Sequence, residues 1–330
     1  MTLAEMVRQG RFISIQDAGE VFLHCLGCLH CREYCKHENN VPEVLMAARA
    51  SSHRAEVQEN KTSEFLGNMH AKKNPWGEDL EEKLHKAVDD RMFVPEAQVV
   101  IFSGCQALRK PERHLLPVLS LLDLLGIDYV GVHGGKTQCC GAPFWFAGDR
   151  QSFQDNASNL RTSLANTKKI ISLCPTCAYV LKGGLGTSVL HDRTQVITLD
   201  EFLLPLVKNS PPEKKVAENI TFHDPCYLTR YLDRGSQVRE LLGMVLEEEL
   251  SECAWHGKDA VCCGGGGGVP SLLPKVAKAV AEERISQLKR TGAQRVVTAC
   301  PNCVRQLEQT EKMQVVDLAE LILEAYSCKE

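Results

Sequence analysis

No stretch of this chain stays apolar long enough to cross a bilayer. The best candidate, "LLPVLSLLDLLGIDYVGV" from Leu115, is interrupted by Pro117, Asp123 and Asp128. It reads as a helix followed by a strand. The opening residues lack the basic-then-apolar pattern of a secretory signal. Neither sign of charge is in excess: 38 basic against 42 acidic residues leave a net charge of −4, which excludes the basic surface of a nucleic-acid binder. No G-x-G-x-x-G follows a strand, so the chain is not expected to bind a dinucleotide of its own. The run Gly264 to Gly268 lacks the Lys-Ser/Thr that a phosphate loop requires. These absences point to a soluble cytoplasmic protein that contacts a membrane only through partners. Its 330 residues, 44% of them hydrophobic, suffice for two domains with cores.

Cysteine is what the chain has in excess, with sixteen residues. In a reducing compartment, clustered cysteines suggest metal ligands rather than disulfides. Adjacent cysteines such as Cys139–Cys140 and Cys262–Cys263 are also poorly placed to bond to each other. They belong to a repeat. The first copy reads "VVIFSGC", "QCCGAP" and "IISLCPTC"; the second reads "ITFHDPC", "VCCGGG" and "VVTACPNC". Thirty-three residues separate Cys105 from Cys139 and Cys140 from Cys174; in the second copy the intervals are 35 and 36. Each copy carries five cysteines in the order C, CC, CxxC. The sets are Cys105, Cys139, Cys140, Cys174 and Cys177, then Cys226, Cys262, Cys263, Cys300 and Cys303.

The surroundings repeat as well. Short β-branched runs end at cysteines ("AQVVIFSGC", "NITFHDPC", "KKIISLC", "QRVVTAC"), with helical patterns between them and further strands at "IDYVGV", "QVIT", "VLEEEL" and "QVVD". Alternating strands and helices predict parallel α/β sheets with the cysteines at the carboxyl ends of strands. Pro175 and Pro301 suit the first turn of a helix, whose N-terminus favours thiolate at the flanking cysteines. Gly141 and the glycine run would let backbone N–H groups approach sulfur.

Upstream, "CLGCLHCREYC" spaces Cys25, Cys28, Cys31 and Cys35 as C-x2-C-x2-C-x3-C, a bacterial ferredoxin pattern that suits a cubane [4Fe–4S] cluster. Lys36 stands where proline usually follows. Cys35 is the favoured fourth ligand, with Cys253 and Cys328 as the alternatives. Structural zinc prefers two cysteine pairs and fits this spacing less well.

The C…CCG…CxxC unit resembles the CCG cysteine-rich domain found twice in heterodisulfide reductase subunits and in the iron–sulfur subunits of glycolate oxidase and anaerobic glycerol-3-phosphate dehydrogenase. The resemblance rests on "DPCYLTRYL", "CCGGGG" and "CPNC" and spans roughly residues 97–330. The chain departs from many such proteins in having one ferredoxin run rather than two. The resemblance implies two tandem α/β CCG domains with parallel sheets, at 97–209 and 217–330, preceded by a small helical ferredoxin-like segment at 1–96. It further implies one or two noncubane [4Fe–4S] clusters on the repeated cysteines, where neighbouring thiolates can ligate neighbouring irons. The expected role is electron transfer to or from a flavoprotein or another redox subunit. The rival is a catalytic disulfide reductase, which would need an open pocket at a cluster.

For several other residues a role near a cluster competes with plain packing. Phe144, Trp145 and Phe146 would shield the first CC pair from water, and His223 and His133 would lie near the cysteines. "EEEL" and "AEERISQLKR" read as solvated faces. Residues 43–96 read as helices and an exposed connector broken at "NPWG", and "KNSPPEKKVAEN" as the linker between repeats.

Overall fold

β-branched and aliphatic runs form strands where the cysteine pattern required them. The computed structural model describes residues 5–6, 9, 15–54, 59–93, 97–134 and 138–327; Cys328 lies outside the described residues. In the first repeat β1 (Val99–Phe102), β2 (Gly131–Val132), β3 (Lys169–Ser172) and β4 (Gln195–Thr198) form a parallel sheet in the order β2-β1-β3-β4. In the second, β5 (Ile220–Phe222), β6 (Arg295–Thr298) and β7 (Gln314–Asp317) form a parallel sheet in the order β5-β6-β7. The registers match: Phe102 lies opposite Ser172, and Phe222 opposite Val297.

Two expected strands are shorter than the sequence suggests. "VLEEEL" contributes only a single parallel bridge, Val216 to Leu246. A parallel strand is covered on both faces, and Glu247 to Glu249 are all exposed. "IDYVGV" is cut to two residues for the same reason, since Asp128 and Tyr129 face water.

Among the described residues the longer helices before the repeats are α1 (Ile15–Phe22), α2 (Val41–Arg54), α3 (Glu59–Lys72) and α4 (Leu80–Ala87), with one further turn at His30–Glu33. The first repeat contributes α5 (Leu116–Leu124), α6 (Ala142–Ala147), α7 (Arg150–Ser163), α8 (Pro175–Leu181) and α9 (Leu199–Asn209). The second contributes α10 (Gly235–Val245), α11 (Pro274–Lys289), α12 (Pro301–Glu308) and α13 (Leu318–Ser327). The Asn74 break between α3 and α4 is buried rather than exposed. Its side-chain amide donates to the carbonyls of Lys72 and Glu78 at 2.8 and 2.7 Å.

The repeats pack through one contact made twice. The helix after the last strand of each repeat lies on the first helix of the other, α9 on α10 and α13 on α5. Each copy carries a crossing ion pair: Arg113 meets Glu320 at 2.9 Å, and Arg234 meets Asp200 at 3.0 Å. This isologous arrangement turns the carboxyl ends of β3 and β6 toward each other. One hydrophobic core runs from Leu23 and Met69 of the N-terminal helices through Ile101 and Ile171 to Phe222 and Val297.

Candidate metal centre

Each repeat gathers its five cysteines in the same connectivity. In the first, each thiol neighbours the next closely enough to shift its ionisation, in the order Cys105, Cys139, Cys140, Cys177, Cys174. In the second the order is Cys226, Cys262, Cys263, Cys303, Cys300. Cys263 Sγ lies 3.1 Å from Cys303 Sγ. All ten are buried except Cys226, which is half-buried. The expected local devices are present. Cys174 and Cys300 are the N-caps of α8 and α12, each followed by proline. The N–H groups of Gly141 and Gly264 each donate to the sulfur two residues back, Cys139 or Cys262, at 3.4 Å. Both glycines are left-handed, φ 88° and 86°, a conformation glycine adopts without strain.

The three sets also touch one another. Cys28 neighbours Cys262, and Cys174 neighbours Cys300, beside which Asn302 Nδ2 donates to the Cys174 sulfur at 3.8 Å. In each pair one sulfur is pushed toward thiolate. Cys28 is lowered to about 6 by the Cys262 thiol, the His30 amide and the Arg230 charge, against the cost of burial. Cys174 falls well below the usual thiol range through Cys177, Cys300 and the first amides of α8. Cys263 does so through Cys262, Cys303 and His223. Their neighbours are raised correspondingly, with Cys262, Cys300 and Cys303 held as thiols.

Of the N-terminal run, Cys25 is half-buried and accepts from the Gly27 N–H at 3.4 Å, and Cys31 is exposed beside Cys28 and Cys25. Cys35 takes its hydrogen bonds from the backbone of Asn39 and His37, which lowers it. Cys253 lies in the second repeat, where its sulfur accepts from Arg284 Nη1 at 3.6 Å.

Three buried arginines surround these cysteines, and the sequence reading missed all of them. Arg49 donates to five carbonyls: Phe22, Leu23 and Cys25 of the N-terminal segment, Phe146 of the first repeat and Gly267 of the second, at 2.6–3.0 Å. Arg230 donates to the Cys28 carbonyl at 2.7 Å, and its Nη2 is buried without a partner. Arg284, within the expected solvated "AEERISQLKR", is fully buried, and its Nη2 is also without a partner. Its position seven residues after Ala277 on the inward face of α11 is the periodic signal that could have found it. None of the three pairs with a carboxylate among the described residues. Burial pulls Arg49 down to about 10, opposed by Cys25. Buried cations without counter-charge are costly, so the site is built to receive negative charge.

The aromatic residues divide. Phe144 and Phe146 are buried. Trp145 lies outside them under the Arg150 guanidinium, 3.1 Å from its ring centre. His133 stacks on Phe102. A ring nitrogen of His223 and the sulfurs of Cys263 and Cys303 lie within 4.8 Å of one another. A small cleft of about 80 Å³ opens onto Cys105, Cys140, Cys174 and Cys177 between Trp76, Phe146 and Arg305.

Comparison with known proteins agrees with this geometry. The cysteine-rich domain pattern named CCG matches residues 99–182 and 220–308. The chain is 27% identical over 323 residues to the D-type subunit of the dihydromethanophenazine:CoB–CoM heterodisulfide reductase of Methanosarcina mazei, covering 91% of this chain and 77% of that protein. It is 25% identical over 310 residues to the B-type subunit of the fumarate reductase (CoM/CoB) of Methanothermobacter marburgensis, covering 92% and 61%. It is also 25% identical over 344 residues to the EtfAB:quinone oxidoreductase of Syntrophomonas wolfei, covering 93% and 46%. No helix among the described residues is long and apolar enough to cross a membrane. With both copies of the C, CC, CxxC set folded onto parallel sheets and matched by that pattern, the chain belongs to the CCG cysteine-rich domain family.

Proposed function

We propose that the chain is an iron–sulfur electron-transfer subunit of a multi-subunit oxidoreductase, with three parts at 1–96, 97–209 and 217–330. Its relatives named above are oxidoreductases or their subunits. Cys25, Cys28, Cys31 and Cys35 would hold a cubane [4Fe–4S] cluster, and the two five-cysteine sets one noncubane [4Fe–4S] cluster each. The donor set fits such groups: clustered sulfurs, N–H donors aimed at them, and three buried cations to balance an anionic cluster. Clusters bound there would supply one-electron carriage. The protein supplies the ligands, excludes water with Phe144 and Phe146, and joins the three sites.

One observation carries this reading. The cysteine sets adjoin in the order N-terminal, second repeat, first repeat, through Cys28–Cys262 and Cys174–Cys300. The partner at the N-terminal end would be a flavoprotein or another redox subunit, and any membrane contact would be made through it. Anaerobic purification with iron and sulfide analysis tests the reading: about twelve irons per chain is expected for three [4Fe–4S] sites. Zinc without sulfide would refute it.

The cleft favours a second reading, disulfide cleavage at the first repeat, because it opens onto Cys140, Cys174 and Cys177 with Arg305 on its rim. Turnover of a disulfide by the reduced protein alone, abolished by narrowing the cleft with Ser271→Trp on its lining, would favour that reading.

A further inference from the structure

The two repeats share ligands but differ in what stands behind them. In the second, His223 follows the last residue of β5 and is fully buried. Arg284 Nε donates to its Nδ1 at 3.1 Å. An imidazole that accepts at Nδ1 carries its proton on Nε2. That Nε2 is buried with no hydrogen-bond partner, while the ring stands beside the Cys263 and Cys303 sulfurs, within 4.8 Å. Arg284 is itself held in place by the Trp255 carbonyl at 2.9 Å, Gln287 at 3.2 Å and Cys253 at 3.6 Å. The same arrangement argues against His223 as a metal ligand, because its free nitrogen bears the proton and its other lone pair is occupied by arginine.

Among the described residues the first repeat has no such device. The residue after β1 is Ser103, neutral, its buried hydroxyl without a hydrogen-bond partner. Gly141 faces Phe153 and Gly264 faces Ala277; seven residues further along α7 and α11 stand Leu160 and Arg284, both fully buried. One repeat thus places leucine where the other places a cation.

We propose that His223, oriented by Arg284, donates its Nε2–H to the Cys263 sulfur of a cluster in the second repeat, making that centre the higher-potential of the two. The proposal rests on the reading that both repeats hold clusters. Hydrogen bonds and positive charge at a ligand sulfur stabilise the more negative, reduced state. The N–H and the cation behind it would thus favour the reduced state of the group held in the second repeat over that of the group held in the first. His223 acts on the sulfur, and Arg284 is a positioning residue acting through His223.

The test is a potentiometric titration of the full chain monitored by EPR, with iron analysis of each sample. It compares the wild type with His223→Leu, His223→Gln and Arg284→Met. Expected are a downward shift of the second centre's midpoint in the Leu and Met variants, partial recovery in Gln, which keeps an N–H donor, and no shift of the first centre. An unmoved second midpoint with iron retained in both Leu and Met variants would overturn the proposal. So would selective loss of the second repeat's iron in His223→Leu with retention in Arg284→Met, which would make the imidazole a ligand. A wild-type protein with no iron in its second repeat would refute the underlying occupancy reading instead.

Discussion

Asn302 Nδ2, two residues after Cys300 in the second repeat, donates to the Cys174 sulfur of the first at 3.8 Å, so the N-caps of equivalent helices in the two repeats stand side by side. The contact exists because the paired packing of α9 on α10 and α13 on α5 brings the carboxyl ends of the two sheets together. It makes the two cysteine sets continuous and distinguishes cysteines at the junction from those at the far ends. Cys139→Ser should lose about a third of the iron and leave the second repeat's EPR signal intact. Cys300→Ser should alter both repeats' signals, because Cys174 stands beside it. Identical outcomes for the two variants would argue against a junction.

Arg49 joins all three parts of the chain through backbone carbonyls. Arg49→Met takes a donor from five carbonyls; that of Phe22 keeps the Cys25 N–H at 3.4 Å, and each of the other losses costs on the order of 1 kcal/mol or more. A fall of at least about 3 kcal/mol in unfolding free energy is expected, read as a lower denaturation midpoint in urea. Arg49→Lys should recover only a part, since an ammonium has three donors and no planar fork.

Gly267 sits against the N-terminal run. A Cβ there would lie 2.4 Å from the Cys25 carbonyl oxygen, in a backbone with φ 63°. Gly267→Ala should therefore push the run away and lower the N-terminal iron selectively, as measured by iron content and EPR. Gly243→Ala, with open space around it inside α10, should retain all iron and change stability by no more than about 1 kcal/mol.

Removing iron should weaken the fold through the same arginines. Arg49, Arg230 and Arg284 lack carboxylate partners, so a bound anionic cluster stabilises the charged, folded state. Anaerobic chelation should lower the thermal midpoint, and reconstitution should restore it. An unchanged midpoint would mean that the cations are balanced in some other way.

Asp224, beside the second repeat's first cysteine, tests a purely structural pair. Burial pushes its carboxyl up, but Arg239, bonded at 2.7 and 2.9 Å, and the Gly257 N–H outweigh this and hold it below the usual range. A depressed folded pKa means that its stabilisation is present above the unfolded pKa of about 4 and is lost as pH falls through the folded one. Asp224→Asn should cost about 3–5 kcal/mol near neutral pH. The difference from wild type should shrink on acidification, as followed by urea unfolding at several pH values.

Much of the site was legible in residue order. Two sets of five cysteines, prolines after Cys174 and Cys300, and glycines after the CC pairs predicted two sheets with sulfurs at their strand ends, because each feature acts within a few residues. The misreadings arose where burial decides. "VLEEEL" has β-prone ends, but three glutamates cannot be covered on both faces. "AEERISQLKR" looks solvated by composition, yet helical period turns Arg284 inward. The Asn74 turn was recognised, but its burial depends on a side chain capping its own loop.

By itself, the sequence determined the repeat, the parallel α/β class and the three cysteine sets, because spacing and local backbone chemistry are written along the chain. Tertiary structure alone decided that Cys28 neighbours Cys262, that Cys174 neighbours Cys300, that Arg49 and Arg230 bind the backbone around the N-terminal cysteines, and that Arg284 backs His223 beside Cys263. Such contacts join residues distant in sequence, and they form because a buried cation or an N–H donor must find an acceptor wherever the packed helices bring one within reach.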